Sequence, residues 1–527
     1  MRPASFGARR PPIALLIGGV VIALLAALPA VYLAIVVGGE FSVAFEDVWN
    51  SRSVGLIVRS VGLAAAVTAT GIAIAVPIAW LTTRTDLPAR RVWATLATLP
   101  LVIPSYIGAY LFVSALGPSG ELQGLLEPLG VERLPSIYGF AGAWLVLSLF
   151  TYPLILLTVR ASLIRLDPQL EEAARAMGRS PLAVFRTVVV PQLRPALAAG
   201  GLLVSLYVLS DFGAVSIMRF NSFTREIYIT FNSGFDRTGA AALSVLLVIV
   251  TFGVLFLYSR ARSRLRFDRA TPGTTRPART IPLARWRWPA LCFCSLIVGF
   301  ALVLPVAMLV YWSIQGIGDD IGITSLVVNA GHSLAAGSLA AVAAALLAIV
   351  IAVLVVRFPG SVSRGVERIS YTGYALPGIV VALALVFFGI RVAPALYQSF
   401  AMLVIALTAH FLPLAIGAIG AALLQISPRI EEAARGLGRG PIDVFRTITM
   451  PLALGGLAAG TALVFLNAVK ELPATLILAP IGFETLATDV WRQTTTGFFE
   501  AGAVPALVLL VIAAPPLYLL TGRSSPA

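Results

Sequence analysis

Few side chains among these 527 residues can do chemistry, and most of those are arginines or carboxylates. The chain has one lysine, Lys470, set between Val469 and Glu471. A phosphate-binding loop needs Gly-Lys followed by Ser or Thr to bring an ammonium to nucleotide phosphates. None is present, so ATP hydrolysis by that route is excluded. No Ser/His/Asp set, metal-ligand spacing or His-Glu-x-x-His pattern points to an enzyme. His332 and His410 are isolated, and each is expected to be satisfied or solvated rather than to ligate a metal. Cys292 and Cys294 lie about 200° apart on a helix, which disfavours a bridge between them and reads as packing. No cofactor and no permanent metal is expected in this chain.

Two acids stand inside apolar segments, Asp211 in LSDFGAV and Glu471 in VKELPAT, 260 residues apart. An ionisable group in a membrane usually faces a bundle interior and marks a pathway or a buried pair. Lys470 is placed to pair with Asp211 as an ion pair closing an outer gate. Alternatively, the acids line an inlet that a cation meets, or they snorkel to the outer interface. Counted at about 1.5 Å per residue from the inner end of each span, both lie roughly 25 Å up.

The other charged feature is a polar island that occurs twice, again at an offset of 260. Residues 171–191 read EEAARAMGRSPLAVFRTVVVP, and 431–451 read EEAARGLGRGPIDVFRTITMP. Contact with lipid gives no reason to repeat a charged island, whereas a water-exposed surface used twice against a common partner does. Each copy is expected to form two short helices with a hinge. Asp167-Pro168 and Ser427-Pro428 supply an N-cap followed by proline at the first helical position. Glu171-Glu172 and Glu431-Glu432 lie at the positive end of the helix dipole. Leu170, Ala174 and Met177 share one face, as do Ile430, Ala434 and Leu437. Gly178 and Gly438 suit the left-handed residue that ends a helix. Pro181 and Pro441 restart a second helix, expected to stop before Pro191 and Pro451.

The elements that must hold these residues are membrane spans. With 58% apolar and 12% charged residues, the chain is an integral membrane protein. Twelve spans are predicted: 12–38, 55–83, 92–116, 137–160, 194–218, 239–259, 288–314, 331–356, 369–390, 397–424, 454–480 and 500–521. The first follows Arg2, Arg9 and Arg10 but is too long for a signal peptide and is read as uncleaved. With both termini cytoplasmic, the inner segments collect twenty-nine of the thirty-seven arginines. Acids such as Glu40, Glu46, Asp47, Glu121, Glu127, Glu132, Asp319 and Asp320 fall outside. This is the positive-inside pattern, so the net charge of +14 is topology and not nucleic-acid binding. Residues 1–259 form one half with an island at 167–191, and 288–527 the other with an island at 427–451. The basic link 260–287 reads as a cytoplasmic connector able to lie against anionic lipid, although topology alone explains its charge. Six spans per half imply a pseudo-twofold axis along the membrane normal. Leu99-Pro100 in the third span is matched with Leu376-Pro377 in the ninth, and Pro153 with Pro413. All four prolines are read as packing kinks. The polar segments 219–239 and 482–502 read either as outer surface helices or gate loops where a soluble binding protein docks, or as ordinary interfacial helices.

The repeated island resembles the EAA loop of importer-type ABC permeases, through Glu172-Ala173-Ala174, Gly178 and Pro191 and through Glu432-Ala433-Ala434, Gly438 and Pro451. Over nearly the whole chain the similarity is greatest to the fused ferric-iron type. It rests on Ser210-Asp211-Phe212-Gly213, on Lys470-Glu471-Leu472-Pro473-Ala474-Thr475, and on Thr485-Leu486-Ala487-Thr488 before Trp491. The resemblance implies an all-α membrane protein of about twelve transmembrane helices in two parallel six-helix repeats, the type I importer permease fold. It implies a bacterial inner-membrane location, a periplasmic or surface binding protein, and two copies of a cytoplasmic ATPase carrying ATP and Mg. Glu171, Glu172, Ala173, Ala174, Arg175, Gly178 and Arg179 would then couple one half to its ATPase. Glu431, Glu432, Ala433, Ala434, Arg435, Gly438 and Arg439 would serve the other. Asp211, Lys470 and Glu471 would belong to the translocation path or gate. A fused thiamine permease shares the duplicated plan and is the alternative. A carrier driven by an ion gradient would use Asp211 and Glu471 but leaves the repeated islands unexplained.

Overall fold

The structure is a computed structural model that describes residues 11–39, 51–118, 120–131, 133–164, 166, 168–263, 280–316 and 322–521. Asp167, the link residues 264–279 and six of the acids expected in outer loops, Glu40, Glu46, Asp47, Glu132, Asp319 and Asp320, lie outside these. Apolar runs of this length have no water to bond their backbone, so helices that satisfy every amide internally are the form they take. Among the described residues there are no strands, only one isolated parallel bridge between Thr85 and Ile281. Ten helices are long and apolar enough to cross a membrane, and two further segments are helix pairs bent by 98° and 101°.

The chain forms two compact units that do not follow the sequence halves. One comprises residues 48–234 and 246–315, and the other 1–47, 235–245 and 316–527. The helices, in chain order, are α1 (Ile13–Gly39), α2 (Ser51–Arg84), α3 (Arg90–Leu96), α4 (Ser105–Leu116), α5 (Phe140–Ile164), α6 (Pro168–Ala176), α7 (Val190–Ser210), α8 (Gly213–Ile217), α9 (Phe223–Asn232) and α10 (Arg237–Ser263). They continue with α11 (Arg287–Val298), α12 (Leu304–Gln315), α13 (Ile323–Arg357), α14 (Ser361–Ser370), α15 (Gly378–Arg391), α16 (Phe400–Gln425), α17 (Pro428–Gly436), α18 (Met450–Val469), α19 (Pro473–Leu478), α20 (Leu486–Thr495) and α21 (Phe499–Thr521). In the first unit α2, α5 and α7 pack together, and α12 lies on α4. In the second, α13, α16 and α18 make the matching trio, and α1 lies on α14 and α15. Small residues let these backbones approach. A Cβ on Gly200 of α7 would stand 2.8 Å from Ile155 Cα, and one on Gly460 of α18 would stand 3.2 Å from Ala415 Cα. Both contacts repeat at offset 260.

Three expectations are corrected. The third and ninth spans are not continuous, because each is a helix lying across the start of a half-span. Pro104 (φ −56°, ψ 141°) immediately precedes α4 and Pro377 (φ −57°, ψ 142°) precedes α15. Proline pushes the residue before it out of the helical region, and Ile103 and Leu376 are both extended. The partner of Pro377 is therefore Pro104, at offset 273, and not Pro100. Pro153 and Pro413, by contrast, sit inside unbroken helices. The second island helix does not stop before Pro191 or Pro451. It runs into α7 and α18 through π turns at Phe185–Val189 and Phe445–Thr449. A π turn shifts the hydrogen-bond register by one residue, which makes room for a proline that lacks an N–H. Finally, the fifth and eleventh spans end at Ser210 and Val469, so Asp211 and Glu471 stand at breaks and not within helices.

Candidate functional site

In both islands the two adjacent glutamates have opposite fates. Glu171 is 6% exposed and Glu431 5%, whereas Glu172 and Glu432 face outward. The inward pair is held by arginines that close the second span of each half. Arg84 Nη2 lies 3.3 Å from Glu171 Oε1 and also donates to the Leu163 carbonyl at 3.0 Å. Arg357 Nη2 lies 2.7 Å from Glu431 Oε1, and its Nε donates to the same oxygen at 3.0 Å. Thr449 Oγ1 gives Glu431 a further hydrogen bond of 3.0 Å. The corresponding residue in the first half is Val189, so that clamp lacks the hydroxyl. A cation at the last turn of α2 or α13 also suits the negative end of the helix. Arg84 and Arg357 differ by 273 in number while their partners differ by 260. A scan at one offset passes over them.

The rest of each island repeats closely. Gly178 (φ +80°) and Gly438 (φ +83°) take the left-handed conformation expected of them. The amides of Gly178 and Arg179 donate to the carbonyls of Arg175 and Ala174, and those of Gly438 and Arg439 to Arg435 and Ala434. These are the paired bonds of a Schellman ending. Arg179 Nη1 donates to Thr187 Oγ1 and Arg439 Nη1 to Thr447 Oγ1, each at 3.0 Å, tying the hinge to the π turn. Arg175 and Arg435 reach back to Glu171 and Glu431 along the helix. Ser427 occupies the N-cap position with Pro428 after it, but its side chain makes no capping bond. Of the apolar residues grouped on one face, Ala174 and Ala434 are buried. Leu170, Met177, Ile430 and Leu437 are exposed, Met177 at 71% and Leu437 at 86%. The arginine–glutamate clamp decides which side of the helix turns inward, and it leaves Glu172, Ala173, Met177 and their counterparts as an outward surface.

Asp211 and Glu471 are capping acids. Asp211 Oδ1 accepts from the amides of Ala214 at 3.0 Å and Val215 at 3.4 Å, at the start of α8. Its other oxygen accepts from Ser105 Oγ, the first residue of the half-span α4. Glu471 Oε1 accepts from Ala474 N at 3.0 Å at the start of α19. It also lies over Gly378, the first residue of α15, where a Cβ would meet it at 2.6 Å. Ser105 and Gly378 are again 273 apart. In each half, therefore, one carboxylate faces the positive end of a half-span that begins within the apolar layer. Lys470 is the C-cap residue of α18 and half-buried. Asp211 and Lys470 fall in different compact units.

The pattern of one protein family, described as the binding-protein-dependent transport system inner membrane component, matches residues 71–267 and again 344–521. The chain belongs to this family. The two matches each contain one clamped island and one capping acid, so the permease is a fused, two-half member. It is 32% identical over 523 residues to the Fe(3+)-transport system permease protein FbpB 2 of Haemophilus influenzae, covering 97% of this chain and 98% of that one. The ferric transport system permease protein FbpB of Actinobacillus pleuropneumoniae is 22% identical over 435 residues, 79% of this chain and 63% of that one. The sulfate transport system permease protein CysT of Salmonella typhimurium is 29% identical over 201 residues, 37% of this chain and 71% of that one.

The permease also carries a repeated element that the sequence showed only as two polar segments. In each half a helix, α9 or α20, is fixed to the second span by a serine. Ser60 Oγ accepts from Phe223 N at 3.2 Å, and Ser333 Oγ accepts from Leu486 N at 2.8 Å. Each helix turns one acid inward: Glu226 pairs with Arg52, while Asp489 accepts from Asn329 Nδ2 at 3.1 Å and from Arg492 at 2.9 Å. The two histidines are bound to backbone carbonyls, His332 to Glu484 and His410 to Gly373. Among the described residues no group of His, Cys, Asp or Glu is arranged to hold a metal ion.

Proposed function

We propose that this permease carries ferric iron inward as the membrane subunit of an ABC importer, powered by two copies of a separate cytoplasmic ATPase. The observation that carries the reading is the duplicated island, clamped from inside through Glu171 and Glu431 and offering Glu172 and Glu432 outward. A helix held by a buried ion pair transmits a push to the spans behind it, which is what coupling by rigid-body rocking requires. Glu172 and Glu432 would meet basic groups on each ATPase, and the exposed Met177 and Leu437 would fill apolar hollows there. ATP and Mg would belong to that partner, and both termini of this chain would lie in the cytoplasm. A periplasmic or surface binding protein would deliver the ion to the outer face, where α9 and α20 stand.

The iron assignment draws on the full-length likeness to a permease named for Fe(3+) transport and on the capping acids. Helix N-termini within a membrane favour anions. Here the carboxyl groups of Asp211 and Glu471 occupy those ends, an arrangement better suited to a cationic cargo than to an oxyanion. The test is ATP-dependent uptake of labelled ferric iron and labelled thiamine in cells with and without the gene. Loss of iron uptake alone, restored by the wild-type gene, is expected. Loss of thiamine uptake instead would keep the coupling scheme and overturn the cargo.

A further inference from the structure

The link between the halves ends in a staple. Ile281 N donates to the Arg84 carbonyl at 2.9 Å, Asp86 N donates to the Ile281 carbonyl at 3.2 Å, and Leu283 N donates to Asp86 Oδ1 at 2.8 Å. Leu283 then packs with Leu81, Leu87 and Trp93 against Ala290 and Cys294 of α11. Leu87, Ala89, Arg90, Arg91, Thr280 and Asp86 surround an open cavity of about 490 Å³ beside the staple. Asp86 is the acid of this lining, and one of its oxygens already serves Leu283 N. Arg91 is exposed and Arg90 half-buried. Arg285 and Arg287 follow the staple directly, both exposed. Between and after them Trp286 is 62% and Trp288 77% exposed, and Val92 is exposed on α3. This is where the apolar run 284–315 begins.

We infer that this cavity, which carries Arg90 and Arg91, binds the phosphodiester headgroup of an anionic phospholipid. Guanidinium groups match phosphate oxygens in pairs, and uncovered tryptophans at the start of a span belong at the lipid headgroup level. The exposed apolar residues next along the chain, Val92 after Arg91 and Trp286 and Trp288 after the staple, favour a lipid over a soluble phosphate, which would leave them uncovered. The link joins the chain once, so only the first clamp has such a neighbour. Arg84, whose carbonyl receives Ile281, is also the residue that holds Glu171. The lipid is thereby set against the anchor of the first coupling helix. The cytoplasmic placement of this face rests on the orientation proposed above.

The experiment uses the purified full chain in phosphatidylcholine nanodiscs with and without phosphatidylglycerol, and reads by mass spectrometry the phospholipid retained after detergent exchange. Both leaflets have the same composition, and neither ATPase nor iron is present, so the result is independent of orientation and of the transport reading. The wild-type chain should retain phosphatidylglycerol preferentially. Arg90→Gln with Arg91→Gln should lower that preference about twenty-five-fold, from two contacts of about a factor of five each. Arg90→Lys with Arg91→Lys should keep most of it. Arg364→Gln with Arg368→Gln, on the exposed face of α14, removes the same charge elsewhere and should change it little. Circular dichroism checks that each variant is folded. Equal loss in both Gln pairs would mean general charge attraction and would overturn the site, as would no loss in either. Displacement of the lipid by inorganic phosphate would overturn the lipid in favour of a free anion.

Discussion

The guanidinium of Arg357 sits 2.7 Å from the carboxylate of Glu431, and neither side chain is more than 13% exposed. The pair joins the last turn of a membrane-spanning helix to the first turn of a surface helix. Its counterpart, Arg84 with Glu171, does the same in the other half at 3.3 Å. A buried pair adds little over a well-packed apolar pair, but losing one partner leaves an uncompensated charge. Replacing Arg357 with Leu should therefore destabilise the protein by about 3 kcal/mol. Adding Glu431→Leu should recover most of that loss. Thermal unfolding of both single variants and the double variant measures the coupling.

The two clamps differ by one hydroxyl. Thr449→Val removes the hydrogen bond to Glu431 and should cost about 1 to 2 kcal/mol. Val189→Thr should tighten the weaker clamp. Hydrogen exchange of the amides in 428–436 should rise in the first variant, and exchange in 168–176 should fall in the second. No change in either would show that the clamps do not set the local stability of the islands.

Adjacent glutamates should separate anchoring from coupling. Glu172→Ala with Glu432→Ala, both exposed, should abolish ATP-dependent uptake and leave the amount and melting temperature of the membrane protein unchanged. Glu171→Ala with Glu431→Ala should lower the melting temperature in detergent with no partner present. Normal transport by the Glu172/Glu432 variant would sink the coupling assignment.

Gly178 and Gly438 have open space around a would-be Cβ, so alanine there is opposed by backbone conformation alone. Each substitution should cost about 1 to 2 kcal/mol, confined to the island's end. Uptake should fall in proportion to the loss of helix 168–176 or 428–436, read by local hydrogen exchange.

At the capping acids, Asp211→Asn keeps a good cap while Asp211→Ala does not. The first should change stability by less than about 0.5 kcal/mol and the second should cost about 1 to 2 kcal/mol. If the carboxyl groups at the half-spans matter for the cargo, Asp211→Asn with Glu471→Gln should reduce iron uptake several-fold at nearly normal stability. Undiminished uptake would remove these acids from the cargo's path and leave them as caps.

Much of this protein is legible along the chain because lipid and local geometry act over short distances. Apolar runs long enough to cross a bilayer must become helices. Gly178 and Gly438 end theirs because a left-handed residue there lets it and the next residue bond back to the last turn of the helix. The repeat at offset 260 made both islands and both acids visible. Tertiary structure decided what no local pattern encodes. Glu171 and Glu172 are chemically identical neighbours, and only Arg84, eighty-seven positions earlier, selects which one turns inward. Pro104 and Pro377 end the helices before them, yet Pro153 and Pro413 do not, because neighbouring helices settle whether a freed carbonyl is tolerated. From the start of the half-span to the start of the next span, the first half is thirteen residues longer than the second. That shifts every earlier landmark from offset 260 to 273 and parts each arginine from its glutamate in sequence while leaving them in contact in space.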